Sequence, residues 1–146
     1  MKNWLKILLA LAVIGIIAAI LVYVFVYNKP HKNIEKAKAE FTVNADSLFH
    51  QFQQNSEFYS QKYNGKVIEI TGKISKTELT DSSAVAIFVF SQGLFGDEGI
   101  RCNMLPKYFP DARKLVTGQE VSIKGLCAGY NGTDVVLDEC SFKTNF

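Results

Sequence analysis

Residues 63–75 read YNGKVIEITGKIS. Ile68, Ile70 and Ile74 recur at even spacing, while Glu69, Thr71 and Lys73 fall on the opposite face. That alternation is the mark of a strand with one face buried. Asn64-Gly65 supplies a turn ahead of it. Gly72 stands where an inward apolar residue is due, and glycine inside a strand marks a bulge or sharp bend. A long first strand that bends can pair with two different neighbours. The stretch therefore predicts the opening strand of a small closed β-barrel.

Downstream, residues 76–83 are polar and read as a loop, and residues 84–90 (AVAIFVF) as a second strand with both faces apolar. Residues 92–99 hold three glycines and two acids, a second loop. Ile100, Cys102 and Met104 alternate with Arg101 and Asn103 in a third strand. Residues 106–116 (PKYFPDARKLV) carry two prolines, which favour a first helical turn, and form a short helical insertion ended by Thr117-Gly118. Residues 120–127 alternate again as a fourth strand. Asn131-Gly132 is a hairpin signal leading to a fifth strand over 133–142. A slip near Asp138-Glu139 in that strand returns Cys140 and Phe142 to the core.

Upstream, Ala45, Leu48, Phe49 and Phe52 follow helical spacing behind Asn44 as N-cap, which predicts a helix over 45–54 plugging one end of the barrel. Ile34, Ala37 and Phe41 extend a weaker helical pattern, and residues 56–63 form another short helical stretch. Residues 7–27 carry no charge. As a helix they span about 31 Å at 1.5 Å per residue, the thickness of a hydrocarbon core. Trp4, Tyr23 and Tyr27 lie near the ends of this run, and it closes on YVFVYNK rather than on small residues, so it reads as an uncleaved anchor. The division is then 1–27 transmembrane anchor, 28–42 tether and weak helix, and 43–146 barrel with its helix. Lysine counts on the two sides of the span lean slightly toward a cytoplasmic domain. The short N-terminal tail suits export, and we expect a single pass through the inner membrane with the domain outside the cytoplasm.

Of sixteen basic residues four precede Asn33, whereas all fourteen acidic residues follow it, so the domain carries −2. Five strands, an insertion between the third and fourth and a hairpin between the last two give a mainly β chain with the order of a five-stranded OB-fold barrel. The segments LFHQFQQN, KYNGKVIEITGKI, IRCNM, TGQEVSIKGLCAG and VVLDECSF together resemble the bacterial tRNA-anticodon-binding-like OB family of small exported or membrane-attached proteins. The resemblance spans residues 43–142 and rests on structural positions, glycines at bends and apolar residues inward, so it carries no chemistry over. It implies nucleic-acid binding by analogy of fold alone. Family members often begin with a lipid-modified cysteine, which is replaced here by a helix.

Nothing in the chain assembles an active site. His31 and His50 stand apart, and Cys102, Cys127 and Cys140 have neither C-x-x-C spacing nor a nearby histidine. We expect no enzyme activity, no metal and no cofactor, with the cysteines serving as small buried hydrophobes rather than a disulfide. Folding the hairpin about Asn131-Gly132 sets Cys127 opposite Val136 and Cys140 opposite Ile123. Two functions remain: a membrane-tethered module binding a protein, peptide or envelope component, and a single-stranded nucleic-acid binder. The second needs a basic groove with stacking aromatics, and −2 disfavours it. OB-folds receive ligands on strands two and three and the flanking loops, which nominates Lys73, Arg101 and Tyr130. Phe88 joins them if the second strand turns it outward.

Overall fold

The computed structural model describes residues 2–27 and 33–143. It divides into two compact units, 1–32 and 33–146. The expected tether at 28–32, with His31, lies outside the described residues. The first unit is helix α1 (Lys2–Val22), whose end loosens into a π-helical turn at Tyr23–Tyr27. Lys2–Val26 is long and apolar enough to cross a membrane, with a mean hydropathy of 3.1 over its most apolar window. No residue of α1 is buried.

The described residues of the second unit form seven strands, two more than expected: β1 (Phe41–Asn44), β2 (Val67–Lys73), β3 (Lys76–Leu79), β4 (Ala84–Gly93), β5 (Gly96–Met104), β6 (Glu120–Tyr130) and β7 (Asp134–Phe142). Their order is β1-β2-β6-β7-β5-β4-β3. The bend behind Gly72 divides the first strand into β2, antiparallel to β6, and β3, antiparallel to β4. Residues 76–79, expected in a loop, are therefore strand. At the break the backbone bonds both ways: Ile74 N–H donates to Gln119 O and Ser75 N–H to Ile87 O, each at 2.9 Å. A Cβ on Gly72 would lie 3.0 Å from the Ala45 Cβ and 3.4 Å from the Phe88 ring. Glycine is what lets helix and strand close over the bend. The ladder does not close into the expected barrel, because β1 and β3 remain its two edges. Only the two-residue link Ile74-Ser75 joins the ends of β2 and β3.

The lead-in differs from its helical reading. Lys36 and Ala37 N–H groups both donate to Asn33 O in a single turn, and Phe41–Asn44 pairs parallel with β2. Helix α2 (Ala45–Gln54) starts where expected, with Asn44 Oδ1 accepting from Asp46 N–H at 3.0 Å. It buries Ala45, Leu48, Phe49 and Phe52 in the core. Helix α3 (Ser56–Tyr63) ends on buried Tyr63, whose hydroxyl donates to Gln51 Oε1 at 2.9 Å. The insertion is a 3₁₀ turn (Pro106–Tyr108) running into the single-turn helix α4 (Phe109–Ala112).

Residues 92–99 are not a loop but the end of the β4–β5 hairpin, in register from Gln92↔Asp97 to Gly93↔Gly96 with only Leu94 and Phe95 between. The slip near residue 138 is present: Glu139 takes φ 52°, the pairing of β7 shifts there, and Cys140 and Phe142 return to the core. Two such irregularities also move the hairpin register, so Cys127 faces Leu137 and Ile123 faces Phe142 rather than the partners expected. The whole core comes from residues after Asn33, so the fragment 33–146 contains everything that drives its own folding.

Candidate functional site

Strand register assigns the outward face of β3, β4, β5 and β7. Lys76, Ile87, Arg101 and Val136 form one cross-strand row, Glu78, Val85 and Asn103 a second, and Val89, Gly99 and Asp134 a third. Between these rows Ala86, Phe88, Ile100, Cys102 and Leu137 face inward and are buried.

The charged groups on this face are clamped together. Arg101 Nε donates to Asp134 Oδ2 and its Nη1 to Glu78 Oε2, both at 3.2 Å. Lys76 Nζ lies 3.0 Å from Asp97 Oδ2 and 3.9 Å from Glu78 Oε1. The hydrogen bond from Lys76 holds the Asp97 carboxyl below the usual carboxylate range. Asp134 is fixed from below by the turn that precedes it. Asn131 Oδ1 accepts from the backbone of Thr133 and Asp134, at 3.0 and 2.7 Å. The other oxygen of Asp134 accepts from Gly99 N–H at 3.0 Å. Exposed pairs of this kind contribute little stability one by one, but a connected set fixes the orientation of each member.

The nominated residues do not form one site. Arg101 lies on the outward face, as its parity predicts. Lys73 ends β2 opposite Glu120. It lines a different cleft, of about 570 Å³, with Asn44, Asp46 and Phe90. Tyr130 is half-buried at the end of β6, its ring 5.8 Å from Phe52 and its hydroxyl donating to Gly132 O at 2.9 Å. Burial, then Glu98 and Asp134, raise its phenol pKa. Phe88 is fully buried beneath Gly72, and Phe90 packs on Phe49 with centroids 5.6 Å apart. The condition for counting Phe88 as a contact is not met, and it leaves the surface set. Sequence reasoning missed Lys76, Glu78, Asp97 and Asp134. The alternation in KTEL was the available signal for the first two.

A second cleft, of about 570 Å³, lies where the lead-in crosses the sheet, lined by Glu35, Lys38, Glu69, Lys124 and Lys143 among others. Lys124 Nζ donates to Glu35 O and Ala37 O, Lys143 Nζ to Glu69, and the Tyr108 hydroxyl to Glu35 at 2.5 Å. The Lys124 and Tyr108 bonds fasten the lead-in to the domain, while Lys143 ties the end of β7 to β2. Burial pushes the Cys127 thiol up to about 11, and burial followed by Cys102 pushes Cys140 up as well, which keeps both protonated and unreactive. The three cysteines are free, and among the described residues no His/Cys/Asp/Glu group is arranged to hold a metal ion.

Among solved structures, the chain is similar to a lipoprotein of Klebsiella pneumoniae subsp. pneumoniae MGH 78578 described as nucleic acid-binding. That match has a TM-score of 0.53 and 17% identity, covering 70% of this chain and 91% of that one. Asparaginyl-tRNA synthetase from Pyrococcus horikoshii aligns with a TM-score of 0.37 and 14% identity, covering 56% of this chain and 20% of that one. At such identities the first likeness concerns the fold alone. Comparison with curated proteins gives no significant match. The tRNA_anti-like family model matches residues 1–142, and with the OB-type pairing scheme described above, the chain belongs to the tRNA_anti-like family.

Proposed function

We propose that this chain is a membrane-tethered, non-catalytic OB module of the bacterial cell envelope, with its domain on the outer side of the inner membrane, binding a protein or peptide through the outward face of β3, β4 and β5. One observation carries the reading: the two cations of that face are already held by carboxylates, Arg101 by Asp134 and Glu78, and Lys76 by Asp97 and Glu78. Between them lie the half-buried aliphatic side chains Val85 and Val89 rather than rings, with Ile87 buried beneath the clamped charges. Single-strand binders pair a basic groove with aromatic stacking platforms. An aliphatic strip rimmed by fixed charges of both signs suits a polypeptide instead.

The competing reading is single-stranded nucleic acid, which the description of the Klebsiella lipoprotein supports. Fluorescence anisotropy of labelled single-stranded DNA and RNA with fragment 33–146 separates the two. We expect no binding at physiological salt in the micromolar range. Salt-dependent binding at micromolar or tighter affinity overturns the polypeptide reading, since neutralised phosphates are what give such a slope.

A further inference from the structure

The β4–β5 hairpin ends in Leu94 and Phe95, which are 98% and 94% exposed. The turn does not require them. Two-residue hairpin loops favour Asn, Asp and Gly at these positions, and here the unusual backbone angle falls on the neighbouring Gly96, at φ 121°. Two large apolar side chains thus occupy loop positions that neither core packing nor turn geometry demands, and exposed apolar groups of this kind mark contact sites.

The surroundings specify what they contact. Asp97 follows the tip after Gly96. From Asp97 the clamped charges run without interruption through Lys76, Glu78 and Arg101 to Asp134. Three carboxylates against two cations leave this row acidic, with Asp97 and Glu78 its accessible members and Asp134 buried. Such flanks repel an anionic bilayer surface. The tip also lies far from where the chain enters the domain. The lead-in is fastened by Lys107 and Tyr108, just past the far end of β5. At about 3.3 Å per residue along a nine-residue strand, roughly 30 Å separates the two ends.

We infer that the partner is a cationic amphipathic polypeptide segment, its apolar side gripped by Leu94 and Phe95 and its basic side laid along the carboxylates of Asp97 and Glu78. This rests on the polypeptide reading above and names the chemical class of its ligand. The contact is apolar burial at the tip and charge pairing along the row.

The test uses fragment 33–146 and two labelled probes, a short helical Leu/Lys peptide and a Ser/Lys peptide of equal length and charge. Anisotropy at physiological salt should show the Leu/Lys peptide bound about tenfold more tightly, near the size expected for burying one or two apolar side chains. The Leu94→Ser/Phe95→Ser variant, whose changes are at the surface, should lose that preference and keep its Ser/Lys affinity. Glu78→Gln/Asp97→Asn should weaken both, and Asp97→Asn alone gives the same reading should the double variant unfold. Equal affinity of the two peptides, or a preference that survives in the Ser variant, overturns the inference and leaves the polypeptide reading standing. Binding of neither peptide overturns both. Sedimentation with phosphatidylcholine vesicles that is lost in the Ser variant overturns the inference in favour of a lipid surface.

Discussion

Replacing Ile70 by alanine tests the strand on which the fold is built. Ile70 is 0% exposed and stands in register with Ile123 on β6 and Val43 on β1. The change removes three carbons, about 2.4 kcal/mol of transfer free energy at roughly 0.8 kcal/mol each. The unfilled volume adds to this, and buried Ile→Ala changes fall at about 2–5 kcal/mol. A value of about 3 kcal/mol lowers the midpoint of a domain this size by about 12 °C. Thr71→Ala, one residue on and on the opposite face, removes only a half-buried side chain whose hydroxyl is 3.5 Å from Ser122 Oγ. It should shift the midpoint by about 2 °C. Near-UV circular dichroism of fragment 33–146 on heating reads both. A shift for Ile70→Ala no larger than that for Thr71→Ala would mean that the faces of β2 are assigned the wrong way round.

Three further outcomes follow from the geometry. Gly99→Ala should destabilise the domain by several degrees or abolish folding, because a Cβ there would meet the Phe88 carbonyl oxygen at 1.8 Å, and backbone cannot yield as a flexible side chain does. Thermal melts check this, and an unchanged midpoint refutes the β4–β5 spacing. The Tyr108 phenol is pushed up to about 12, first by its hydrogen bond to Glu35 and then by burial. The folded state therefore holds the phenolic proton more tightly than the unfolded chain, and this contribution is complete below pH 10 and fades as pH rises toward 12. Wild type should exceed Tyr108→Phe in stability at neutral pH and lose that advantage over this window, and an advantage that grows with pH contradicts the contact. Once a cationic partner is in hand, Lys76→Ala, which frees the exposed Asp97 and Glu78 carboxylates, should tighten its binding several-fold in a titration at physiological salt, and weaker binding would contradict charge pairing along that face.

Much of the fold was readable because its strongest periodic segments are also its core. Helix α2 and its Asn44 cap need only local information, as does the inward set Ile68, Ile70 and Ile74. The errors arise where a local pattern had two structural solutions. Ile34, Ala37 and Phe41 are spaced for a helix, yet Ile34 is buried from a single turn and Phe41 packs edge-on against Tyr63 from a strand. The run AVAIFVF is apolar on both faces, so its parity was ambiguous until pairing with β5 set Phe88 opposite Ile100. Segment KTEL alternates charged Lys76 and Glu78 with Thr77 and Leu79 over only four residues, too short a run to separate strand from loop without its pairing to β4. The parity of Arg101 was legible for the same reason as that of Ile70. Its partners Glu78 and Asp134 were not, because they lie 23 and 33 residues away and are brought in by register alone.

Net charge of the domain is a weak guide to its ligand, and the pairing of its cations is a stronger one. Lys66 lies 3.3 Å from Glu40, Lys107 and Lys143 hold Glu35 and Glu69, Lys124 is bound by two backbone carbonyls, and Lys76 and Arg101 by the carboxylates of the face. A phosphate backbone reaching any of these must displace an oxygen already in place. The exchange returns one charge-assisted bond for another and leaves a carboxylate beside the incoming anion. A basic segment meets the opposite situation, since the same carboxylates have further lone pairs to offer. Apolar side chains gain more still, because nothing has to be displaced from Leu94 and Phe95 except water. A shared OB-type fold thus leaves the choice of ligand to these few surface positions. On the proposed reading, these positions suit a cationic, partly apolar polypeptide better than a polyanion.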